Sequence, residues 1–228
     1  MKLSVLIPVY NEIHTLSAIV EKITALNMDK ELIIVDDFSS DGTRELLKRD
    51  FSSNLKDIKV IYHEVNQGKG AAIKTALKNA TGDYAIIQDA DLEYDPNDYT
   101  ILLSAAQREN AEVVYGSRFL KTWRATSWWH FLVNRFLTTM TNILYASRLS
   151  DMETCYKLIR TDVFKNLDIE STRFEIEPEI TAKLLKKGLR IAEVPISYKG
   201  RAYHEGKKIG WKDGFTAVWI LIKYRFTR

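Results

Sequence analysis

Three things are scarce in this 228-residue sequence: cysteine, long apolar runs and net charge. Its single cysteine, Cys155, cannot form an intrachain disulfide, which excludes a disulfide-stapled secreted scaffold. No apolar run approaches the ~18–20 residues of a transmembrane helix, and a strand-like run begins as early as Leu3. The net charge of +3 does not indicate a nucleic-acid partner. We therefore expect a globular, cytoplasmic protein that does not bind nucleic acid.

The charge that is present is unevenly distributed. Residues 199–228 contain eight lysines and arginines but only two acids, whereas residues 1–198 carry a small net negative charge. A basic segment on a mildly acidic body indicates a phosphate-bearing ligand or an anionic membrane surface. A solvated basic end without a ligand is the alternative.

Short apolar runs alternate with amphipathic patterns through the first half of the chain. Residues 3–7 and 84–88 predict buried strands, and apolar residues three and four apart between Ile13 and Leu26 predict a helix. Further strands and helices are predicted, in chain order, at 31–35, 43–49, 59–62, 71–79, 98–108, 112–115, 178–187 and 190–196. The alternation predicts an α/β fold with a mostly parallel sheet flanked by helices.

Paired acids follow one of these strands. Asp89-Ala90-Asp91 comes directly after the run at 84–88, and period-2 geometry lets both carboxylates point the same way. Such close carboxylates repel unless a cation lies between them, and hard oxygen ligands favour Mg or Mn. Glu93 could reach the same ion. Turn-forming aspartates are the alternative; with a metal, the expected ligand is a nucleoside diphosphate whose phosphates complete the metal shell.

A glycine-containing turn precedes the predicted helix at 71–79. In Gly68-Lys69-Gly70, backbone N–H groups and the lysine could meet a phosphate. The sequence matches neither a P-loop nor a dinucleotide fingerprint, and a simple helix-entry turn is the alternative.

Several motifs, taken together and in order, resemble a known family. The first five are Pro8-Val9-Tyr10-Asn11-Glu12, Val35-Asp36-Asp37-Phe38-Ser39-Ser40-Asp41-Gly42-Thr43, Asn66-Gln67-Gly68-Lys69-Gly70, Asp89-Ala90-Asp91-Leu92 and Gly116-Ser117-Arg118. They resemble glycosyltransferase family 2, inverting enzymes of the GT-A fold. Three later segments, 173–179, 193–198 and 201–209, are similar to the dolichol-phosphate mannose synthase and polyprenyl-phosphate glycosyltransferase branch. The resemblance covers residues 3–214.

The resemblance implies a donor site in the first half of the chain. The nucleotide-sugar-binding residues it implies are Pro8, Tyr10, Glu12, Asp37, Lys69, Asp89, Ala90 and Asp91. The first three would surround the base, and Asp37 would hold the base or the ribose. Asp89, Asp91 and Glu93 would hold Mg or Mn. The branch often has glutamine where this chain has Glu93, an acid that can still ligate.

The resemblance also implies an acceptor site. Its phosphate-binding residues would be Arg118, Arg201, Lys207 and Lys208, and the catalytic residues would be Asp91, Asp151, Arg118 and Arg201. A phosphate monoester is largely dianionic at neutral pH and needs cations rather than a base. A hydroxyl acceptor would need a general base, for which Asp151 is the candidate. A structural turn aspartate is the other interpretation of Asp151.

Two amphipathic segments favour contact with a membrane surface. Residues 123–148 combine tryptophans with arginines, and 215–228 combine aromatic residues with lysine and arginine. Both suit helices that lie in the headgroup layer, and core or dimer-facing helices are the alternative. Membrane-anchored members of the branch carry C-terminal transmembrane helices that are absent from this sequence. A separate anchor protein or a homo-oligomer would fit that difference.

We expect one GT-A catalytic domain over residues 1–228, with a nucleotide-sugar half at 1–118 and an acceptor and membrane half at 119–228. The expected reaction is transfer of one hexose from GDP-mannose or UDP-glucose to polyprenyl phosphate at the cytoplasmic membrane face. The first alternative is a glycosyltransferase that acts on a sugar or glycan hydroxyl. A sugar nucleotidyltransferase and a non-catalytic nucleotide-binding module are the others.

Overall fold

The computed structural model describes residues 1–51, 57–120, 128–200 and 211–227. The strands in these ranges are β1 (Leu3–Val9), β2 (Lys30–Asp36), β3 (Ile58–Tyr62), β4 (Tyr84–Ile87), β5 (Val113–Ser117), β6 (Lys157–Arg160) and β7 (Ile191–Pro195). The helices are α1 (Leu16–Thr24), α2 (Thr43–Asp50), α3 (Lys69–Asn79), α4 (Tyr99–Glu109), α5 (Trp128–Tyr145), α6 (Thr161–Lys165), α7 (Ile176–Lys186) and α8 (Trp211–Phe226).

The strands form one seven-stranded sheet in the order β3-β2-β1-β4-β6-β5-β7. Every pairing is parallel except those of β6, which runs antiparallel to both β4 and β5. The predicted α/β fold with a mostly parallel sheet is therefore confirmed. Val9 pairs with Asp36, so the neighbouring strands β1 and β2 end at the same level.

Apolar runs explain why the central strands form. The side chains of Val5, Ile7, Ile33 and Ile34 are almost entirely buried, as expected for a parallel sheet covered on both faces. Helix α1 turns its apolar residues to this core and leaves its charged residues in water. Helix α3 packs against β1 and β2 through small residues such as Ala72 and Ala76.

Two elements, β6 and α6, do not appear in the sequence-based prediction. The sequence of β6 has only two apolar residues between Lys157 and Arg160, so no hydrophobic run marks it. The predicted strand at 84–88 ends at Ile87, and the helix predicted at 71–79 begins two residues earlier, at Lys69. A 3-10 turn at Pro96–Asp98 precedes α4 where the sequence predicts a single helix from 98.

The two predicted C-terminal amphipathic helices are α5 and α8, and they pack against each other. The Tyr145 hydroxyl donates to the Leu221 carbonyl over 2.8 Å, and Gly214 lies beside Val133. One face of the pair is buried through residues such as Leu137 and Leu221. Across the described part of the chain, no helix combines the length and the apolar character that crossing a bilayer requires.

Candidate functional site

The polar ends of the strands meet at one edge of the sheet. Because β1, β2, β4, β5 and β7 point the same way, the segments after them share that edge. Strand β6 runs the opposite way, so its first residue, Lys157, and the preceding segment 151–156 lie there too. The strand that the sequence-based prediction missed therefore brings Asp151 to the site.

Three of the six described non-glycine residues with a left-handed backbone lie at this edge. Asn11, Phe38 and Leu92 follow β1, β2 and β4, and each has a left-handed backbone, with φ of 54°, 65° and 63°. Non-glycine residues rarely adopt this conformation, and such residues cluster where a site must be held in shape. Three strained loops side by side identify this edge as the candidate site.

Hydrogen bonds fasten the loop after β1 to the loop after β2. The Asn11 amide donates to Ser39 Oγ over 2.9 Å, and the Ser40 amide donates to Asn11 Oδ1 over 2.8 Å. The Glu12 amide donates to Thr43 Oγ1 over 3.0 Å. The serines and the threonine of the second motif thus fix the conformation of the first.

The predicted base-binding residues lie along these loops. Pro8 is the penultimate residue of β1, and the exposed ring of Tyr10 follows it. The Glu12 carboxylate accepts a hydrogen bond from Thr15 Oγ1 over 2.9 Å. These three residues therefore lie at the end of β1 and in the loop after it, at the edge of the sheet where a planar base could bind.

Asp37 is buried and holds the loop before α3. Its Oδ1 accepts from the Gln67 amide over 2.9 Å and lies 2.8 Å from His63 Nδ1. Its Oδ2 accepts from the Gly68 amide over 2.7 Å. In this structure both oxygens bind the protein, so Asp37 sets the shape of the loop that presents Lys69.

The glycines around Lys69 permit a close backbone approach. Gly68 has φ of 96°, and a Cβ on Gly70 would lie 2.8 Å from the Ser171 carbonyl oxygen. The Ala71 amide donates to the Thr172 carbonyl over 3.0 Å. The turn therefore does more than start a helix, because it is seated against the segment before α7.

Lys69 forms an ion pair with the first aspartate of the paired acids. Its Nζ lies 2.8 Å from Asp89 Oδ1 and 2.9 Å from Oδ2, and 3.4 Å from Glu177 Oε1. Burial opposes the charged form, but Asp89, with Glu177, raises the pKa of Lys69 well above its usual range. A permanent positive charge thus lies beside Asp89. Ala90, between the two acids, is buried.

The second aspartate and Glu93 face the segment after β7. Asp91 Oδ1 accepts from the Glu93 amide over 3.1 Å, and the Tyr198 hydroxyl donates to Glu93 Oε2 over 2.8 Å. The Lys199 amide donates to the Glu93 carbonyl over 2.8 Å. These contacts join the segment after β4 to the segment after β7.

The predicted metal ligands are oxygen donors without a preformed cage. Within the residues that the structure describes, no group of three or more His, Cys, Asp or Glu side chains is arranged to hold a metal. Two carboxylates, from Asp89 and Asp91, still provide the hard oxygen ligands that Mg or Mn prefers. Mg usually binds one or two carboxylates and takes its other ligands from phosphates and water. The residues therefore fit a metal that arrives with a diphosphate.

Arg118 and Asp151 form a buried, two-point ion pair. Nε and Nη2 of Arg118 each donate over 2.7 Å to one oxygen of Asp151, and the Arg118 amide donates over 3.0 Å to Oδ2. The Asp151 side chain is completely buried, whereas 13% of Arg118 is exposed. Burial opposes the charge on Arg118, but the Asp151 carboxylate raises the pKa of this guanidinium further. Neither oxygen of Asp151 is unbonded in this geometry.

Glu193 of β7 positions this pair. Its Oε2 accepts from the Ser150 amide over 2.8 Å, and its Oε1 accepts from the Asp151 amide over 3.2 Å. Burial and the neighbouring Asp151 carboxylate raise the pKa of Glu193. No role for Glu193 is predicted from the sequence, although an acid between the apolar residues of a strand is a recognisable signal.

A second buried ion pair, Lys157 with Glu177, was also missed. Lys157 Nζ donates to Glu177 Oε2 over 2.5 Å and to the Thr154 carbonyl over 2.6 Å. Because Glu177 also faces Lys69, charges continue from Asp89 through Lys69 and Glu177 to Lys157. The detectable signal was a lysine that directly precedes apolar residues in a short run.

Three predicted acceptor-phosphate residues, Arg201, Lys207 and Lys208, lie outside the described residues. Trp123, in the first predicted membrane segment, lies outside them as well. The structure therefore gathers the predicted donor residues and the Arg118–Asp151 pair at one edge.

Comparison with known sequences gives matches along most of the chain. A family model described as glycosyl transferase family 2 matches residues 4–168. The dolichol-phosphate mannosyltransferase of Pyrococcus furiosus is 29% identical over 216 residues, 92% of this chain and 60% of that protein. The low-salt glycan biosynthesis hexosyltransferase Agl6 of Haloferax volcanii is 26% identical over 219 residues, 92% of this chain and 51% of that protein. The chain thus spans half to three fifths of the length of these relatives.

A solved structure has the same fold at low sequence identity. It is glucosyl-3-phosphoglycerate synthase of Mycobacterium tuberculosis, in complex with Mn²⁺, UDP and phosphoglyceric acid. Its TM-score is 0.72 at 17% identity, and the match covers 100% of this chain and 79% of that one. At this identity the likeness shows the fold alone, which is GT-A.

Proposed function

The chain belongs to glycosyl transferase family 2, and from that premise we propose that it is an inverting polyprenyl-phosphate hexosyltransferase. The donor is GDP-mannose or UDP-glucose, and the acceptor is a polyprenyl or dolichyl phosphate at the cytoplasmic face of a membrane. Residues 1–118 bind the donor, and residues 119–228 bind the acceptor and the membrane. The Pyrococcus furiosus relative, named a dolichol-phosphate mannosyltransferase, supports this acceptor class.

The donor site has to stabilise a departing nucleoside diphosphate. Lys69 places a buried positive charge beside Asp89, and Asp89 and Asp91 would hold Mg or Mn, as the Mn²⁺ in the mycobacterial structure suggests. A bound divalent cation would neutralise charge that develops on the diphosphate. The loops fixed by Ser39 and Thr43 would orient the base, so that the sugar is presented in one direction.

The observation that best supports a phosphate acceptor is the hydrogen bonding of Asp151. Both of its oxygens already accept hydrogen bonds from Arg118, which leaves neither unbonded to take a proton from a hydroxyl acceptor. A phosphate acceptor needs no base, since its own oxygen is already an anionic nucleophile. It does need a cation, and Asp151 fixes the Arg118 guanidinium at the edge of the cleft. The basic residues Arg201, Lys207 and Lys208 would add to this charge.

The membrane contact is proposed on the exposed faces of α5 and α8. Four exposed apolar residues of α8 follow helical spacing along one face: Phe215, Trp219, Ile222 and Phe226. Phe136 and Ile143 add exposed apolar area on α5, which packs against α8. The exposed arginines Arg135, Arg148 and Arg225 lie on the same two helices or directly after them. Such a surface suits an anionic lipid headgroup layer, which also holds the acceptor.

The test is sugar transfer into lipid. The purified protein is incubated with Mn or Mg, with labelled GDP-mannose or UDP-glucose, and with a short polyprenyl phosphate in detergent. We expect label in the lipid fraction, lost on addition of EDTA and in Asp91→Ala. Asp29→Ala, at an exposed residue before β2, is the matched control and keeps full activity.

Each other outcome contradicts a defined part of the proposal. Nucleotide release without lipid labelling would overturn the acceptor and keep the donor. Pyrophosphate release from a nucleoside triphosphate and a sugar phosphate would replace the transferase with a nucleotidyltransferase. Activity that is unchanged by EDTA would contradict the metal.

A further inference from the structure

One carboxyl group in the segment 151–156, at the candidate site, is not used by any part of the proposed mechanism. Across the described residues the Glu153 side chain makes no hydrogen bond, and its Oε1 is buried without a partner. The neighbouring acids differ: Asp151 binds Arg118, and Glu177 binds Lys157. Buried polar groups in native proteins are nearly always hydrogen-bonded, so an exception calls for a ligand or a functional reason.

The charges around Glu153 leave it as a surplus acid. It interacts electrostatically with Lys157 and Arg118, and with the carboxylates of Glu177 and Asp151. Both cations are already paired, each with one of those carboxylates. Burying a third carboxyl among them costs stability unless another group completes its hydrogen bonds.

The position of Glu153 indicates what that group is. Two residues before it, Asp151 binds Arg118 on the acceptor side. Two residues after it, the Cys155 thiol interacts with Asp89 and Lys69 on the diphosphate side. In a direct displacement, the transferred sugar lies between the departing diphosphate and the attacking acceptor. Glu153 is therefore on the short segment that spans this space.

We infer that Glu153 is a specificity-determining residue whose carboxyl group hydrogen-bonds a hydroxyl of the hexose being transferred. This inference rests on the proposed function, because it requires a sugar attached to the diphosphate. It assigns Glu153 to recognition of the sugar, and neither to the metal nor to proton removal from an acceptor.

The protonation chemistry of Glu153 favours a hydroxyl group over a phosphate as its hydrogen-bond partner. Burial, together with Glu177 and Asp151, raises the pKa of Glu153 to about 7 against the opposing effect of Lys157 and Arg118. Near neutral pH the group therefore exists in both protonation states. A sugar hydroxyl can donate to the carboxylate or accept from the acid, so it matches both forms. A phosphate matches only the protonated one.

The test compares the affinity of sugar nucleotides with that of free nucleotides. Dissociation constants of GDP-mannose, UDP-glucose, GDP and UDP are measured by calorimetry with Mn or Mg, for the wild type, Glu153→Ala and Glu153→Gln. In Glu153→Ala we expect the preferred sugar nucleotide to bind about 10- to 100-fold more weakly, the value of one hydrogen bond to a charged group. The free nucleotide should bind as it does to the wild type. Glu153→Gln keeps an acceptor oxygen and should recover most of the loss.

Folding controls separate recognition from structure. An unbonded buried carboxyl does not support the fold, so Glu153→Gln should melt at or above the wild-type temperature; a clear fall would overturn the inference. Glu21→Gln, at an exposed site on α1, is the matched control and should change neither property.

The remaining outcomes identify which claim fails. If the wild type binds a sugar nucleotide and Glu153→Ala binds it equally well, the inference is wrong and the proposed function stands. An equal loss for the free nucleotide would likewise overturn it, since Glu153 would then act on the diphosphate. If the wild type binds neither sugar nucleotide, the proposed donor class fails and the inference fails with it.

Discussion

Two buried carboxylates of this molecule, Asp37 and Asp151, bind different kinds of partner. Asp37, in residues 1–118, accepts hydrogen bonds from two backbone amides and contacts the His63 ring. Asp151, in residues 119–228, binds the Arg118 guanidinium, and Glu177 binds the Lys157 ammonium. Bonds to amides fix the shape of a loop, whereas the ion pairs place cations at the edge of the sheet where the candidate site lies.

The difference has an energetic consequence. A carboxylate that accepts from amides and hydroxyls can be well stabilised without burying a second charge. A buried ion pair removes two charges from water, and the loss of either partner leaves the other uncompensated. The ion-paired carboxylates Asp151 and Glu177 should therefore be the more sensitive to the loss of a partner, while Asp37 should depend on the shape of its loop.

The largest effect is expected from breaking the Lys157–Glu177 pair. Lys157→Met leaves Glu177 buried with Lys69 as its remaining cation, at 3.4 Å. We expect a loss of about 3–5 kcal/mol in the free energy of unfolding, measured by urea denaturation. Arg160→Met is the matched control in the same strand, because Arg160 is 45% exposed and pairs at the surface. It should cost less than about 1 kcal/mol.

A double variant sharpens this prediction. Lys157→Met with Glu177→Leu removes both charges and should recover part of the stability that the single variant loses. If the single and double variants are equally unstable, the cost comes from lost packing around Lys157. The contrast between the ion-paired carboxylates and the amide-bonded Asp37 would then not rest on charge.

The sequence predicts the strands β1, β2 and β4 better than β6, because burial on both faces leaves a clear apolar pattern only where no buried charge shortens the apolar run. Apolar runs reveal β1, β2 and β4 because those strands are buried on both faces. Strand β6 has only four residues and begins with the buried charge of Lys157, so it shows no apolar run. The compensation of that charge by Glu177, twenty residues away, is invisible to periodicity.

The candidate site shows the same limit. The order of the motifs, through a family resemblance, indicated Asp89, Lys69, Arg118 and Asp151 as site residues. It did not indicate that Lys69 pairs with Asp89 or that Arg118 pairs with Asp151. Those pairings depend on which elements are neighbours, and the insertion of β6 between β4 and β5 places Asp151 beside Arg118.

Two glutamates with opposite pKa shifts provide a second, smaller test of the contrast. At Glu31, burial opposes ionisation, but Lys2, Ser4 and Thr81 together lower the pKa from 4.5 to about 2. Its contribution to stability is present above about pH 4.5 and is lost as the pH falls towards 2. Glu31→Gln should be less stable at neutral pH by about 1–2 kcal/mol, a value reduced by partial solvent access. The deficit should shrink below about pH 4.

Glu153 should show the reverse dependence. Its pKa is raised to about 7 in the folded protein, so the folded state holds this proton more tightly than the unfolded state. Stability therefore falls as the pH rises from 4.5 to about 7. Glu153→Gln cannot ionise and so avoids this fall in stability. The variant should be more stable than the wild type at alkaline pH but not below about pH 5. Urea unfolding at several pH values measures the stability of Glu31→Gln and Glu153→Gln relative to the wild type. If the two differences change with pH in the same direction, the contrast between the two glutamates is wrong.

The smallest effect on stability is expected from substitutions on the exposed face of α8. Trp219 and Phe226 are 63% and 78% exposed, so replacing both with serine should leave the free energy of unfolding within about 0.5 kcal/mol. If this face lies on lipid, the double variant should bind vesicles of phosphatidylcholine and phosphatidylglycerol about tenfold more weakly in flotation assays. Ile101→Ser, on exposed helix α4, is the control for the general loss of an apolar side chain. An equal loss in that control would contradict a specific membrane face. A wild-type dimer that dissociates in the double variant, with vesicle binding unchanged, would assign the face to a second copy of the chain.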